Sequence, residues 1–271
     1  MSSVVTNQLL KAADLAPQVR AALRDLILVL ADSKRLLGMR YANWILGAPE
    51  LEAGIACASM AQDEWGHARL LYALLREFGD DVDALEHGRG PADYRNIEAL
   101  DAEPDSWPRL VVINALVDTA LTVQLEALKL SSYLPLRQRV QKLLEEEAFH
   151  TAHGVAWFRR LAGSDAGREA LHDDVGDVAP VVMRWFGPDT ERARALQDAS
   201  ISTAAGSDLR SRFVTRIAPL IRLLGEPAGF VSLEPDFSSF REATRRTPGS
   251  APDDRTIAQI RGDLNRAFLM D

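Results

Sequence analysis

The sequence predicts an all-α protein built on a four-helix bundle, and three observations predict it. Hydrophobic residues make up 47% of the 271 positions and aromatic residues only 7%, while Ala, Leu, Arg and Glu dominate, a helix-forming composition. Apolar residues recur with helical spacing through four long segments. Two of those segments carry an E-x-x-H word, Glu64-Trp-Gly-His67 and Glu147-Ala-Phe-His150. Three residues along an α-helix rotate by roughly 300°, so each word projects its carboxylate and imidazole from one face, about a turn apart.

The first helix is expected from Pro17 to about Leu46, with Leu23, Leu26, Ile27, Leu30, Leu37, Tyr41 and Trp44 as its apolar stripe and Gly47-Ala-Pro49 as its stop. A second begins near Glu50 and ends at Gly79-Asp-Asp. A connection rich in Gly, Pro and Asp runs from Gly79 to Pro108, too long for a simple hairpin. The third helix, about Trp107 to Tyr133, is apolar on most faces and should lie deep. The fourth, about Leu136 to Leu161, carries the second word. Two antiparallel helix pairs joined by one long crossover is the ferritin-like arrangement. Further helices are expected around Arg168–Phe186, Asp189–Ala204 and Ser207–Leu224, the last capped by Ser207. Residues Glu226 to Asp253 hold four prolines and read as an irregular wrap, before a short helix striped by Ile257, Ile260, Leu264 and Phe268. The pattern divides the chain into a helical domain over 1–228 and a C-terminal segment, 229–271, packing on it.

Charge and cysteine content narrow the function classes. Lys plus Arg total 31 against 39 Asp plus Glu, a net charge of −8 with no basic stripe, which argues against nucleic acid as a partner. Cys57 is the single cysteine, so no intramolecular disulfide is expected. The N-terminus has no basic stretch followed by an apolar one, and the longest apolar runs stop short of a membrane span. The expectation is a soluble cytoplasmic protein with no membrane partner.

Asp118 lies inside Ala115-Leu-Val-Asp-Thr-Ala-Leu121, where a carboxylate needs a cation or a donor to offset its burial. A neighbouring hydroxyl or arginine would serve, but two E-x-x-H words flanking a buried aspartate favour metal ligation by Glu64, His67, Asp118, Glu147 and His150. Glu145 and Glu146 precede Glu147, which alone has the spacing to His150. His153 suits a supporting role, and Asp63 could orient an imidazole from the facing helix. His87 and His172 have no partner spacing and read as solvated. Arg210, Arg212, Arg216 and Arg222 could meet the phosphates of a ligand, although a solvated arginine face explains them as well. The first helix offers Asp32 and Lys34 instead of a glutamate, and these are about 200° apart, so they cannot both face the site.

These words resemble the phenylacetic acid catabolic family. The resemblance rests on Asn43-Trp44 with Ala48-Pro49, Gln62-Asp-Glu-Trp-Gly-His67, Leu116-Val-Asp118, Glu146-Glu-Ala-Phe-His150, Phe186-Gly-Pro188 and Leu209-Arg-Ser-Arg-Phe213, in one order from about Ala31 to Gly225. It implies a ferritin-like fold and a non-haem di-iron oxygenase subunit that activates O₂ to epoxidise or hydroxylate an aromatic acyl-CoA such as phenylacetyl-CoA. It also implies a related structural subunit, a separate reductase that supplies electrons, and a homo- or hetero-oligomer. The family's ligand pattern falls on Glu64, His67, Asp118, Glu147 and His150. Its sixth position, a glutamate, falls on Lys34. A lysine there admits a second expectation, a non-catalytic structural or regulatory subunit in which Lys34 replaces a metal.

Overall fold

The computed structural model describes residues 9–226, 231 and 234–264. Among them β structure is confined to two isolated bridges, Leu10 with Tyr133 and Arg241 with Arg246. The frame is four long helices: α1 (Pro17–Asn43), α2 (Leu51–Leu75), α3 (Trp107–Leu128) and α4 (Leu134–Leu161). Then come α5 (Asp165–Trp185), α6 (Glu191–Asp198), α7 (Gly206–Leu223) and α8 (Asp254–Arg261). The expected all-α, ferritin-like bundle with one long crossover is what forms.

Helix α1 starts on Pro17, whose fixed φ suits a first helical turn. Its expected apolar stripe is an underestimate, because every residue from Leu26 to Gly38 is buried. Four consecutive polar residues lie in that stretch, and each reaches a different part of the molecule. Asp32 accepts from Tyr72 Oη (2.5 Å), both terminal nitrogens of Arg89 (2.8 and 2.5 Å) and the Arg95 amide (2.8 Å), which pins the crossover. Ser33 Oγ accepts from the Ile97 amide at 3.1 Å. Lys34 points into the bundle. Arg35 donates to Glu86 (3.3 Å) and to the carbonyl of Ile260 (3.1 Å), tying down α8. The rotation argument for Asp32 and Lys34 is thus met by two separate destinations.

Helix α2 runs back along α1. Gly38 permits close approach there, since a Cβ at that position would stand 2.7 Å from the Trp65 indole. The crossover between α2 and α3 is held by Arg40, which donates to the Leu100 carbonyl at 2.7 Å, and by Trp44 Nε1, which donates to the Pro104 carbonyl at 3.2 Å.

Helix α3 is capped by Ser106, whose hydroxyl accepts from the Arg109 amide at 3.2 Å. It widens into a π-helical segment over Ile113–Asp118 and ends at Leu128, short of the expected Tyr133. The backbone beyond it is claimed by other partners: Leu10 N donates to Ser132 O and Ser132 N to Ser200 O, both at 2.8 Å. By length and composition α3 could cross a membrane, contrary to the expectation that no apolar run is long enough, but 94% of its most apolar window is buried inside the bundle. It is the core helix of the fold.

Two further expectations change. Helix α7 begins at Gly206 with Ala205 before it, and Ser207 does not cap it, because its amide donates to Asp189 at 2.9 Å. The terminal helix α8 is capped by Asp253 and buries Ile257 and Ile260, but Leu264 is exposed, and Phe268 lies outside the described residues. Upstream of α8, Arg246 fastens the wrap to the crossover through the Asn96 carbonyl (2.7 Å) and Asp101 (2.6 Å).

Candidate metal centre

The side chains anticipated as ligands converge from three helices. Glu64 and His67 come from α2, Asp118 from the end of the π segment of α3, and Glu147 and His150 from α4, all of them buried. One atom each of Glu64, Asp118, Glu147 and His150 lies within 4.8 Å of the other three, the compass of a single ion. Glu64 Oε2 and His67 Nδ1 are buried without a hydrogen bond. A carboxylate and imidazole set of this kind is compatible with metal binding.

The middle of the cluster belongs to Lys34. Its ammonium donates to Glu64 Oε1 (2.8 Å), Asp118 Oδ1 (3.1 Å) and Glu147 Oε1 (2.5 Å), and the side chain is fully enclosed. Two irons therefore do not fit the residues present: the sixth acid is absent and a cation already stands among the other three. A single ion would require the lysine to withdraw.

The two E-x-x-H words interlock. His150 Nδ1 lies 3.1 Å from Glu64 Oε1, and His67 Nδ1 lies 3.2 Å from Glu147 Oε1, although without hydrogen-bond geometry. Their outer nitrogens are also held from the opposite helix, His67 Nε2 by Glu146 at 2.6 Å and His150 Nε2 by Asp63 at 3.4 Å. Each imidazole thus faces the glutamate of the other word and is oriented by the acid that precedes that glutamate. Reading Asp63 as an orienting residue anticipates one half of this arrangement. Glu146, set aside in favour of Glu147, is its counterpart, and the signal was its position one residue before the second word.

Other polar groups complete the shell. Tyr41 Oη donates to Asp118 Oδ2 (2.9 Å), Thr122 Oγ1 donates to Glu147 Oε2 (3.1 Å), and Asn114 Nδ2 donates to Tyr41 Oη (2.8 Å) and to the His150 carbonyl (3.2 Å). Gly154 makes room for Asn114, whose Oδ1 would be 2.6 Å from a Cβ there. His153 Nδ1 lies 3.3 Å from that same oxygen, in the supporting place expected of it.

Burial and mutual charge set the protonation of the cluster. Burial works against the Lys34 ammonium, but Asp118, Glu147 and Glu64 outweigh it and hold the pKa well above its ordinary value. Burial likewise opposes charge on His150, yet Asp118 and Glu64 push it up to about 11. Asp118 is held well below the usual carboxylate range, because Lys34 and His150 overcome its desolvation. Burial and the adjacent Asp118 raise Glu147 to about 8, and burial raises Glu64 against the pull of Lys34. Burial lowers His67 against the opposing pull of Glu64 and Glu146. Two groups held toward their cationic forms, Lys34 and His150, thus face the three acids Glu64, Asp118 and Glu147.

The remaining candidates lie elsewhere. His87 is exposed within the crossover, whereas His172 is within 3.4 Å of Glu226 and is not simply solvated. Of the late arginines, Arg210 is buried against the Gly187 carbonyl at 2.5 Å and over the Phe237 ring, and Arg216 pairs with Glu126. The solvated-face reading holds for Arg212 and Arg222, which are exposed.

The family model described as phenylacetic acid catabolic protein matches residues 7–228. One component of the 1,2-phenylacetyl-CoA epoxidase of Escherichia coli (strain K12) is 32% identical over 192 residues, 68% of this chain and 60% of that protein. A second component of the same epoxidase is 23% identical over 163 residues, 59% of this chain and 66% of that protein. Both relatives are subunits of the epoxidase. The chain therefore spans less than two thirds of the length of either relative.

Proposed function

The chain belongs to the phenylacetic acid catabolic protein family, and on that premise we propose that it is a cytoplasmic subunit of a multicomponent oxygenase acting on an aromatic acyl-CoA such as phenylacetyl-CoA. Within that assembly it is the structural or regulatory subunit, its buried centre closed by lysine. The observation that carries this reading is the position of Lys34 Nζ, 2.5 to 3.1 Å from three carboxylates on three other residues of the bundle core. A buried ion pair holds only if each charge is compensated, and here one ammonium does for Glu64, Asp118 and Glu147 what a metal would otherwise do. Oxygen activation then falls to a related bundle subunit, with electrons supplied by a separate reductase.

A second reading keeps this chain as the oxygenase itself. Its support is the convergence of Glu64, Asp118, Glu147 and His150, with His67 Nδ1 3.2 Å from Glu147 and with acids in place to orient both imidazoles. Those five side chains would hold iron, which would supply the chemistry of O₂, on condition that Lys34 leaves the centre.

Metal content per chain separates the two. Protein purified from iron-supplemented cells is expected to carry less than about 0.2 metal ions per chain by elemental analysis, and Lys34→Glu is expected to raise occupancy toward one or two, given that carboxylates favour hard divalent ions. About two irons in the unaltered chain would establish the oxygenase reading instead. Unchanged occupancy in Lys34→Glu would show that the lysine does not control the site.

A further inference from the structure

A recess of about 440 Å³ opens between α1, α2, the crossover and α8, and none of the cluster's own side chains lines it. Its walls are Met39, Trp65, Ala68, Tyr72 and Ile260, an apolar and aromatic lining. Around them stand three guanidiniums, those of Arg35, Arg69 and Arg261, against one carboxylate, Glu86. On a chain of net charge −8 this is a local inversion of sign.

The charges are not already spent on one another. Glu86 is engaged by Arg35 at 3.3 Å, and Arg35 also donates to the Ile260 carbonyl. Arg69 is exposed and has no ion pair or hydrogen bond among the described residues. Arg261 gives one terminal nitrogen to the Arg89 carbonyl, while its Nε is buried without a partner. Trp65, 37% exposed, offers its indole beside these groups, and the close approach at Gly38 supports that ring from behind.

The unpartnered Arg69 and the partly satisfied Arg261, beside an exposed indole in a recess large enough for one or two rings, match a ligand with a planar apolar body and an anionic end. With Glu86 paired to Arg35 and Arg261 already held by the Arg89 carbonyl, the single unpartnered guanidinium of Arg69 suits one carboxylate. We propose that this recess binds an aromatic monocarboxylate, with the carboxylate on Arg69 and Arg261 and the ring against Trp65. The site goes beyond the reading of the Lys34 centre and does not depend on whether that centre holds metal.

Isothermal titration calorimetry of the full chain with 2-naphthoate tests this. Saturable one-to-one binding is expected, weakened roughly tenfold by Arg69→Ala, which removes a charge-assisted hydrogen bond, and weakened similarly by Gln259→Glu, which adds a carboxylate to the lining. The uncharged 2-naphthalenemethanol and the non-aromatic cyclohexanecarboxylate are each expected to bind at least about tenfold more weakly, since each lacks one of the two recognised features. Arg69 is exposed, so Arg69→Ala should melt at the temperature of the parent chain. No saturable heat with 2-naphthoate, or affinity indifferent to Arg69→Ala, overturns the proposal. Tighter binding of adenosine monophosphate than of 2-naphthoate overturns it in favour of a nucleotide site.

Discussion

Lys34→Met is expected to lower the stability of the chain by roughly 3–5 kcal/mol, the cost of removing one partner from a buried ionic cluster. In a chain of this size that corresponds to a fall in thermal midpoint on the order of 10 °C. Methionine preserves most of the length and volume of lysine, so the loss isolates the charge. Asp118, Glu64 and Glu147 would be left to His150, which stands 3.1 Å from Glu64 and from Asp118. Protons or an ion must then be taken up. Manganese or zinc added to the variant is accordingly expected to restore part of the lost midpoint and to leave the parent chain unmoved. Differential scanning fluorimetry with and without the metal measures both effects. A variant that melts within about 2 °C of the parent, well inside the shift expected for a buried charge, would show that the ammonium is not what holds the cluster together.

A comparable loss, roughly 3–5 kcal/mol, is expected from Asp32→Ala, but no metal should restore it. The Asp32 carboxylate receives Tyr72 Oη, both terminal nitrogens of Arg89 and the amide of Arg95. Alanine would leave a largely buried guanidinium and a backbone N–H without their acceptor. Because those donors belong to α2 and the crossover, the damage should be localised. Limited proteolysis is expected to cut the variant between residues 80 and 96 faster than the parent, while the spectroscopic helix content stays nearly the same. Asp32→Asn, which keeps an acceptor and loses the charge, should fall between the two. Equal protease resistance in Asp32→Ala and the parent would refute the assigned role.

The bundle was legible in the sequence because its signals are periodic and local. Apolar spacing located the long helices, and the E-x-x-H spacing put both halves of the centre on inward faces. The angular argument was enough to part Asp32 from Lys34. What escaped depends on neighbours that a one-dimensional pattern does not identify. The π segment that delivers Asp118 has no marker in Ile113-Asn-Ala-Leu-Val-Asp118, all six residues of which are buried. Tyr41 and Asn114 are ordinary core-facing residues until Asp118 and the His150 carbonyl are placed beside them. Arg210 looks like one of a row of solvated arginines, but the chain turn at Gly187 brings a carbonyl to it and buries it. The all-round burial of α1 between Leu26 and Gly38 likewise follows from the crossover and wrap folding over a face that its sequence leaves polar.

The interlocked words have a mechanical meaning as well. His67 rests on Glu146 and His150 on Asp63, so each of α2 and α4 grips the other at two points about a helical turn apart. Sliding one helix past its neighbour by a turn, about 5.4 Å, would break both grips together, setting Asp63 against Glu146 in one direction and His67 against His150 in the other. The axial register of α2 and α4 is therefore encoded in four titratable side chains, and the centre serves as the vernier against which the bundle is aligned.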